Sequence, residues 1–288
     1  MALERTGRLG TPGAPRQLFA STPAQRVALA RQQFFEEGVR PSGLVGEAVI
    51  QSWLRCTRNH SDRQRIVPFD AVTPSRLHAT LARNRELLEV SRQELASMES
   101  ALSGTDSRVI LTDGEGVVVH VTQHPAGAHQ PVLRKTARVG VNISERMVGT
   151  TAPGIVATTG QACTVDGAEH YFDVLSQMQC AAAPIRDVAG RLAGVLDITM
   201  EARRFGFDAA SMVALYATTI ENRLLQAVAR PPDPALPGQS QPAGHADGST
   251  GRRGARRHHR LAQRRWRAAD RPPARGRLGA RRRVHAGP

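Results

Sequence analysis

Lys135 is the only lysine in this chain of 288 residues, and no Gly-x-x-x-x-Gly-Lys contains it. A phosphate-cradling P-loop is therefore excluded, because that loop needs its lysine to reach the β- and γ-phosphates. Cysteine is scarce too. Cys56, Cys163 and Cys180 are an odd number with no Cys-x-x-Cys pair, which argues against a disulfide framework and fits a reducing compartment. Even with His170 added, the spacing lacks the close pairs of zinc sites, and a buried free cysteine is ordinarily a small hydrophobe. No metal, cofactor or catalytic residue is expected. No apolar run approaches the roughly 18 residues of a membrane span, and residues 1–17 hold arginines without the apolar stretch of a signal peptide. A cytoplasmic protein with no membrane partner is the expectation.

What is abundant is arginine, and it is unevenly placed. Residues 230–288 hold fifteen Arg and three Asp, a net of +12 out of the chain's +14, so residues 1–229 carry only +2. Arg, Ala, Gly and Pro supply 40 of the 58 residues in 231–288, a composition from which no core can form. Two origins are open. All four residues have codons that begin with two G or C bases, as a shifted reading frame through a GC-rich gene would produce. Alternatively the tail is a basic arm that meets nucleic-acid phosphates nonspecifically through residues such as Arg252, Arg253, Arg256, Arg257, Arg264 and Arg265. Residues 1–21, rich in Gly, Pro and Arg, are expected to be disordered as well.

Between these ends the pattern is first helical, then extended. Thr22-Pro23 is a helix start, a capping hydroxyl followed by a proline whose φ suits the first turn, and that helix is expected to reach Gly38. Val45, Ala48, Val49, Ser52, Trp53 and Cys56 form the buried stripe of a second helix, with Trp53 in the core. Thr73-Pro74 repeats the start signal. Leu77, Leu81, Leu88, Leu95, Met98 and Leu102 then predict one helix over 74–102, roughly 43 Å long at 1.5 Å per residue. Residues 109–112 and 117–121 flank Asp113-Gly114-Glu115-Gly116 as a hairpin. A small-residue helix follows over 149–160, capped by Thr150 or Thr151 with Pro153 in its first turn. Next come a strand over 161–165, a short helix or turn over 171–177, and a second hairpin of 178–188 with 191–200. A last helix from Asp208 places Val213, Ala217, Ile220, Leu224 and Val228 on one stripe. This order predicts an α+β fold, one antiparallel sheet with helices packed on it and a helical extension before it. The divisions are 22–72 for the helical region, 73–229 for the α+β domain and 230–288 for the tail. The long stripes of the 74–102 helix and the last helix also predict a homodimer through a shared bundle.

The second hairpin carries the candidate ligand site. Leu192, Gly194, Leu196 and Ile198 alternate with Ala193, Val195, Asp197 and Thr199, and neither set is polar throughout, so both faces should be covered. Opposite them, residues 180–183 have only small side chains, which leaves room for a close-packed helix or a small molecule. Asp197 stands out, since a buried carboxylate is costly unless hydrogen-bonded or paired. Either it caps a loop or pairs with an arginine such as Arg186, or it touches a ligand. Glu169 and His170 form an acid/base pair or clamp at the pocket rim, or else shape the Gly167-Ala168 turn. Thr150, Glu169, His170, Cys180, Ala182, Val195 and Asp197 are the candidate ligand-binding residues.

Four segments add a resemblance. They are Ser52-Trp53-Leu54-Arg55-Cys56, Gly149-Thr150-Thr151-Ala152, Gly167-Ala168-Glu169-His170, and Cys180-Ala181-Ala182-Ala183-Pro184-Ile185 answered by residues 190–197. Over residues 45–228 the chain resembles the amino-terminal GAF-type sensor domain of sigma-54-dependent transcriptional activators of the acetoin-catabolism-regulator kind. The resemblance implies a GAF-like fold over 73–229 and a non-enzymatic bacterial sensor, in which a small-molecule effector biases an output domain through flanking helices. It departs at Thr151, where the family pattern has Asn, and at Pro153, changes that bear on the pocket entrance or its selectivity. The ATPase and helix-turn-helix segments that usually follow are not in this sequence. DNA contact is therefore expected only through such an output domain or through the tail. A further alternative is a thiol-dependent reductase, because a GAF-like fold with cysteines at a pocket is similar to the free-methionine-sulfoxide reductases.

Overall fold

Thr22 starts the first helix in the computed structural model, which describes residues 22–60, 62–122 and 129–229. The expectations for residues 1–21 and 230–288 lie outside these. Thr22 Oγ1 accepts from the Gln25 amide at 3.2 Å while Gln25 Oε1 accepts from the Thr22 amide at 3.0 Å, a reciprocal cap for α1 (Pro23–Arg31). The helix does not continue as α to Gly38. Its last turn, Gln32–Glu36, widens to π geometry, and the adjacent Phe34 and Phe35 rings both reach Trp53, at 5.4 and 5.0 Å between centroids. Trp53 lies on α2 (Glu47–Asn59), whose buried stripe is Val49, Ile50, Ser52, Trp53 and Cys56.

The single helix expected over 74–102 is two, α3 (Pro74–Arg83) and α4 (Arg85–Ala101). Asn84 interrupts them at φ −97° and ψ 16°, its side-chain amide donating to the Thr80 carbonyl at 2.8 Å. Asparagine competes in this way with the helix's own hydrogen bonds, a local effect that the leucine stripe does not register.

Strands β1 (Arg108–Asp113), β2 (Val118–Val121), β3 (Cys163–Asp166), β4 (Met178–Arg186) and β5 (Leu192–Glu201) form one antiparallel sheet in the order β2-β1-β5-β4-β3. Among the described residues, three helices stand between β2 and β3. The short α5 (Leu133–Thr136) and α6 (Glu145–Val148) have no signal in the sequence pattern, and α7 (Ala152–Thr159) is capped by Thr151, whose hydroxyl accepts from the Gly154 amide at 3.1 Å. Helix α8 (Ala209–Ala229) closes the described fold, with Asp208 accepting from the Ser211 amide at 3.0 Å.

Both sheet faces are covered, and the small residues of β4 serve each differently. On one face Ala181, Ala183, Ile185, Leu196 and Ile198 meet α4 and α8 through Leu95, Met98, Val213, Ala217, Ile220 and Leu224. There alanine lets a helix come close, and burying Leu196 and Ile198 stabilises by about 1.5–3 kcal/mol each. The stripes that suggested a dimer bundle are therefore consumed within the domain's own core. Val228 departs from its stripe, being 59% exposed although it follows Leu224 by one turn, so the end of α8 runs past the core. On the other face Cys180, Ala182, Val195 and Ile110 lie beneath Trp53, Ile155, Tyr171 and Phe172. The architecture is the α+β, GAF-like one expected.

Candidate functional site

Over this second face the sheet and its cover do not close completely. A cavity of about 30 Å³ of water-accessible space remains. Its floor is Ile110 of β1, Met178 and Cys180 of β4, and Asp197 and Thr199 of β5; Phe69, Thr136, His170 and Leu175 stand around it. The side facing the sheet is made by Ile143, Val148, Thr151 and Pro153, so both positions that depart from the family pattern are in the wall.

Asp197 is 1% exposed, and its Oδ1 has no hydrogen-bond partner. Burial holds its carboxyl well above the usual carboxylate range, so the group is an uncharged acid with one donor and one acceptor to offer. Arg186 does not relieve it. That guanidinium donates to the Gly160 carbonyl at 2.7 Å and the Gly190 carbonyl at 3.2 Å, and Asp197 sits mid-strand opposite Ala182 rather than at a loop. The pairing and loop-capping alternatives are both removed. His170 is 1% exposed, and burial lowers its pKa to about 4. With the ring neutral, Nδ1 donates to the Gly167 carbonyl at 2.8 Å and Nε2 keeps its lone pair, 3.7 Å from Cys180 Sγ. Thr199 Oγ1 lies 3.1 Å from the same sulfur and 3.2 Å from the Gln179 carbonyl. The cavity is thus apolar apart from a neutral acid, a neutral imidazole, a thiol and hydroxyls.

The other candidates sit elsewhere. Ala182 and Val195 belong to the same sheet face but are not in the cavity wall. Glu169 shapes its turn: Oε2 accepts from the Asp166 amide at 2.9 Å, and its carbonyl accepts from Trp53 Nε1 at 2.7 Å. Thr150 faces α2, its Oγ1 accepting from Ser52 Oγ at 2.8 Å and lying 3.5 Å from Cys56 Sγ. Arg55 adds a two-pronged contact to Glu145, at 2.7 and 2.8 Å. The Ser-Trp-x-Arg-Cys motif therefore spends its polar atoms on the segment above the cavity and the turn before His170. Thr199 was legible, since it shares Asp197's face two residues on. Phe69 and Ile143 come from loops, Thr136 from the short α5 and Leu175 from a short turn, with nothing in their spacing to mark them. Among the described residues no His, Cys, Asp and Glu group is placed to hold a metal ion, and no helix is long and apolar enough to cross a membrane.

A family model described as the MimR N-terminal domain matches residues 20–219. The acetoin catabolism regulatory protein of Cupriavidus necator is 32% identical over 185 residues, 62% of this chain and 28% of that protein. The propane 2-monooxygenase operon transcriptional activator MimR of Mycolicibacterium goodii is 29% identical over 192 residues, 64% of this chain and 30% of that protein. The chain thus matches less than a third of the length of either relative. In fold it is similar to a chain of the E. coli DhaR(N)-DhaL complex, with a TM-score of 0.60 at 18% identity, over 64% of this chain and 62% of that one. Because the family match runs from before α1 into α8, the chain belongs to the MimR N-terminal domain family, the sensor region of sigma-54-type transcriptional activators.

Proposed function

We propose that this domain senses a small uncharged metabolite in the cavity between the sheet and residues 143–153, and passes its occupancy to an output domain through the flanking helices. The observation that carries the reading is Asp197, a fully buried carboxyl with an unpartnered oxygen in a cavity whose other polar groups are neutral. Leaving such a group unsatisfied costs about 1–3 kcal/mol, a cost that a ligand hydroxyl or carbonyl would recover. No lysine or arginine lines the cavity, so a carboxylate ligand would enter without a counter-charge and a neutral one is favoured. Two matched relatives take their names from acetoin catabolism and a propane 2-monooxygenase operon, which makes short hydroxyketones, ketones and alcohols the first probes.

The thiols argue against the reductase alternative. Burial pushes Cys56 up to about 11 and Cys163 up to about 12, and raises Cys180 well above its ordinary value, the reverse of an activated nucleophile. The expected homodimer needs a surface other than the buried stripes. The outward side of α8, where Leu215 and Leu225 are exposed, is the surface we assign to a second copy.

Thermal unfolding of the full chain with acetoin, acetone, 2-propanol and lactate tests the sensor reading. A neutral probe at 100 times its Kd stabilises by about 2.7 kcal/mol, and lactate, being anionic, should do nothing. Asp197→Leu, close in size, should stay folded and lose the response. An unchanged response in folded Asp197→Leu moves the binding site elsewhere.

A further inference from the structure

The cavity is smaller than the molecules proposed for it. A water needs roughly 10–15 Å³ of such space, so about 30 Å³ takes two waters and not a metabolite of about four to six heavy atoms. Part of the wall must move for the site to be used. The floor cannot, because β1, β5 and β4 are joined by continuous ladders there. The segment opposite is differently built. It consists of α6 and α7, joined at Gly149, whose φ of +70° and whose contact with Phe172, 2.9 Å from an added Cβ, admit only glycine. Gly154 brings α7 against the Glu145 backbone, where an added Cβ would lie 2.9 Å from the amide nitrogen, so the two short helices are packed to shift together.

What holds this roof from outside is one face of α2. Ser52 and Cys56 contact Thr150, next to the wall residue Thr151. Arg55 grips Glu145, whose side chain is only 8% exposed, by both carboxylate oxygens. Trp53 donates to the Glu169 carbonyl, one residue before His170. Charge-assisted, two-pronged contacts of this kind are the strong ones.

We propose that the Ser52-Trp53-Arg55-Cys56 face of α2 is a latch on the roof of the cavity, which must release for a ligand to enter and which thereby sets the ligand's apparent affinity. The inference rests on the sensor reading for its use, and on the contacts above for its mechanics. With the latch closed, only the fraction of molecules whose roof is open can bind, and apparent Kd rises as that fraction falls. Linkage makes the effect reciprocal: occupancy must loosen α2 by the same factor that loosening α2 strengthens binding. The helical extension before the domain is then a moving part of the sensor.

Cys180, on the cavity floor, reports opening without any ligand. The full chain is treated with methyl methanethiosulfonate, small and uncharged, and methylthiolation of each cysteine is followed by peptide mass mapping. Arg55→Ala should speed labelling of Cys180 by about tenfold or more, in keeping with the loss of a charge-assisted pair. Arg55→Lys, which keeps charge but not the fork, should give a smaller rise and carries the test should Arg55→Ala fail to fold. Leu224→Ala, destabilising but on the other sheet face, should leave the Cys180 rate near wild type. Three results overturn the latch: no acceleration at Cys180 in the folded Arg55 variants, acceleration of Cys56 alone, which means α2 frays over a roof that stays shut, or equal acceleration in Leu224→Ala. Because no ligand is used, the latch and the sensor reading fail independently.

Discussion

Asp197 and His170 face one cavity and bend the stability profile in opposite senses. Burial lowers the His170 pKa from 6.5 to about 4, so the unfolded chain takes up its proton first. The contribution of the neutral ring is complete above pH 6.5 and is lost as pH falls from there towards 4. Asp197 is raised by burial from 3.8. Above that pH the unfolded chain ionises while the folded carboxyl stays protonated, so this residue opposes folding increasingly as pH rises. Asp197→Asn removes the second effect and leaves the first. Urea unfolding should show the variant more stable than wild type at pH 7, with the gap closing towards pH 4. A variant less stable at pH 7 would mean that the folded carboxylate is ionised and partnered. The position of Asp197 on an inward face was readable from the alternation of its strand. Its isolation was not, since that depended on Arg186 turning to the Gly160 carbonyl, a contact between segments with no shared pattern.

Among the elements, α7 ties stability to the site. Thr151 both caps the helix and lines the cavity. Thr151→Ala should cost about 1 kcal/mol as a lost cap, whereas Thr151→Asn keeps a good capping side chain. The expected outcome is a lower urea midpoint for the alanine variant, a near-native one for asparagine, and for asparagine a changed ranking of neutral ligands in thermal shift. Equal midpoints for all three would show that the cap carries little. Helix α8 gives a second prediction. Its inward residues Val213, Ile220 and Leu224 are buried, whereas Leu215 is 66% and Leu225 52% exposed. Light scattering of the full chain at micromolar concentration should read about twice its 31.1 kDa, and Leu225→Glu should halve that with the melting temperature kept. A monomeric wild type removes the dimer. The interruption at Asn84 shows the limit of periodicity for such elements: the stripe through Leu81, Leu88 and Leu95 reports a buried side, and stays in phase across a one-residue break.

For the whole molecule, the contrast is between residues 1–229, with a charge of +2, and residues 230–288, with +12. Deleting 230–288 should leave the melting temperature and the ligand response unchanged and abolish nucleic-acid binding that weakens steeply with salt and ignores sequence. Binding that selects one DNA sequence at about 150 mM salt would make the tail an evolved element. Resequencing around the codon for Arg230 tests the reading-frame origin independently. The sequence by itself determined the order of the strands, the pairing of the two hairpins, the burial of both sheet faces and the family, because caps, turn residues and period-two alternation act over a few residues and leave their mark there. Only the tertiary structure decided that the small residues of β4 admit helices on one face and a cavity on the other. It alone brought Phe69, Thr136 and Ile143 to the wall, set the Ser52, Arg55 and Cys56 side chains on the roof, and set Trp53 on the turn before His170. Periodicity tells which side of an element is buried. What it is buried against is settled by packing between segments far apart in the chain.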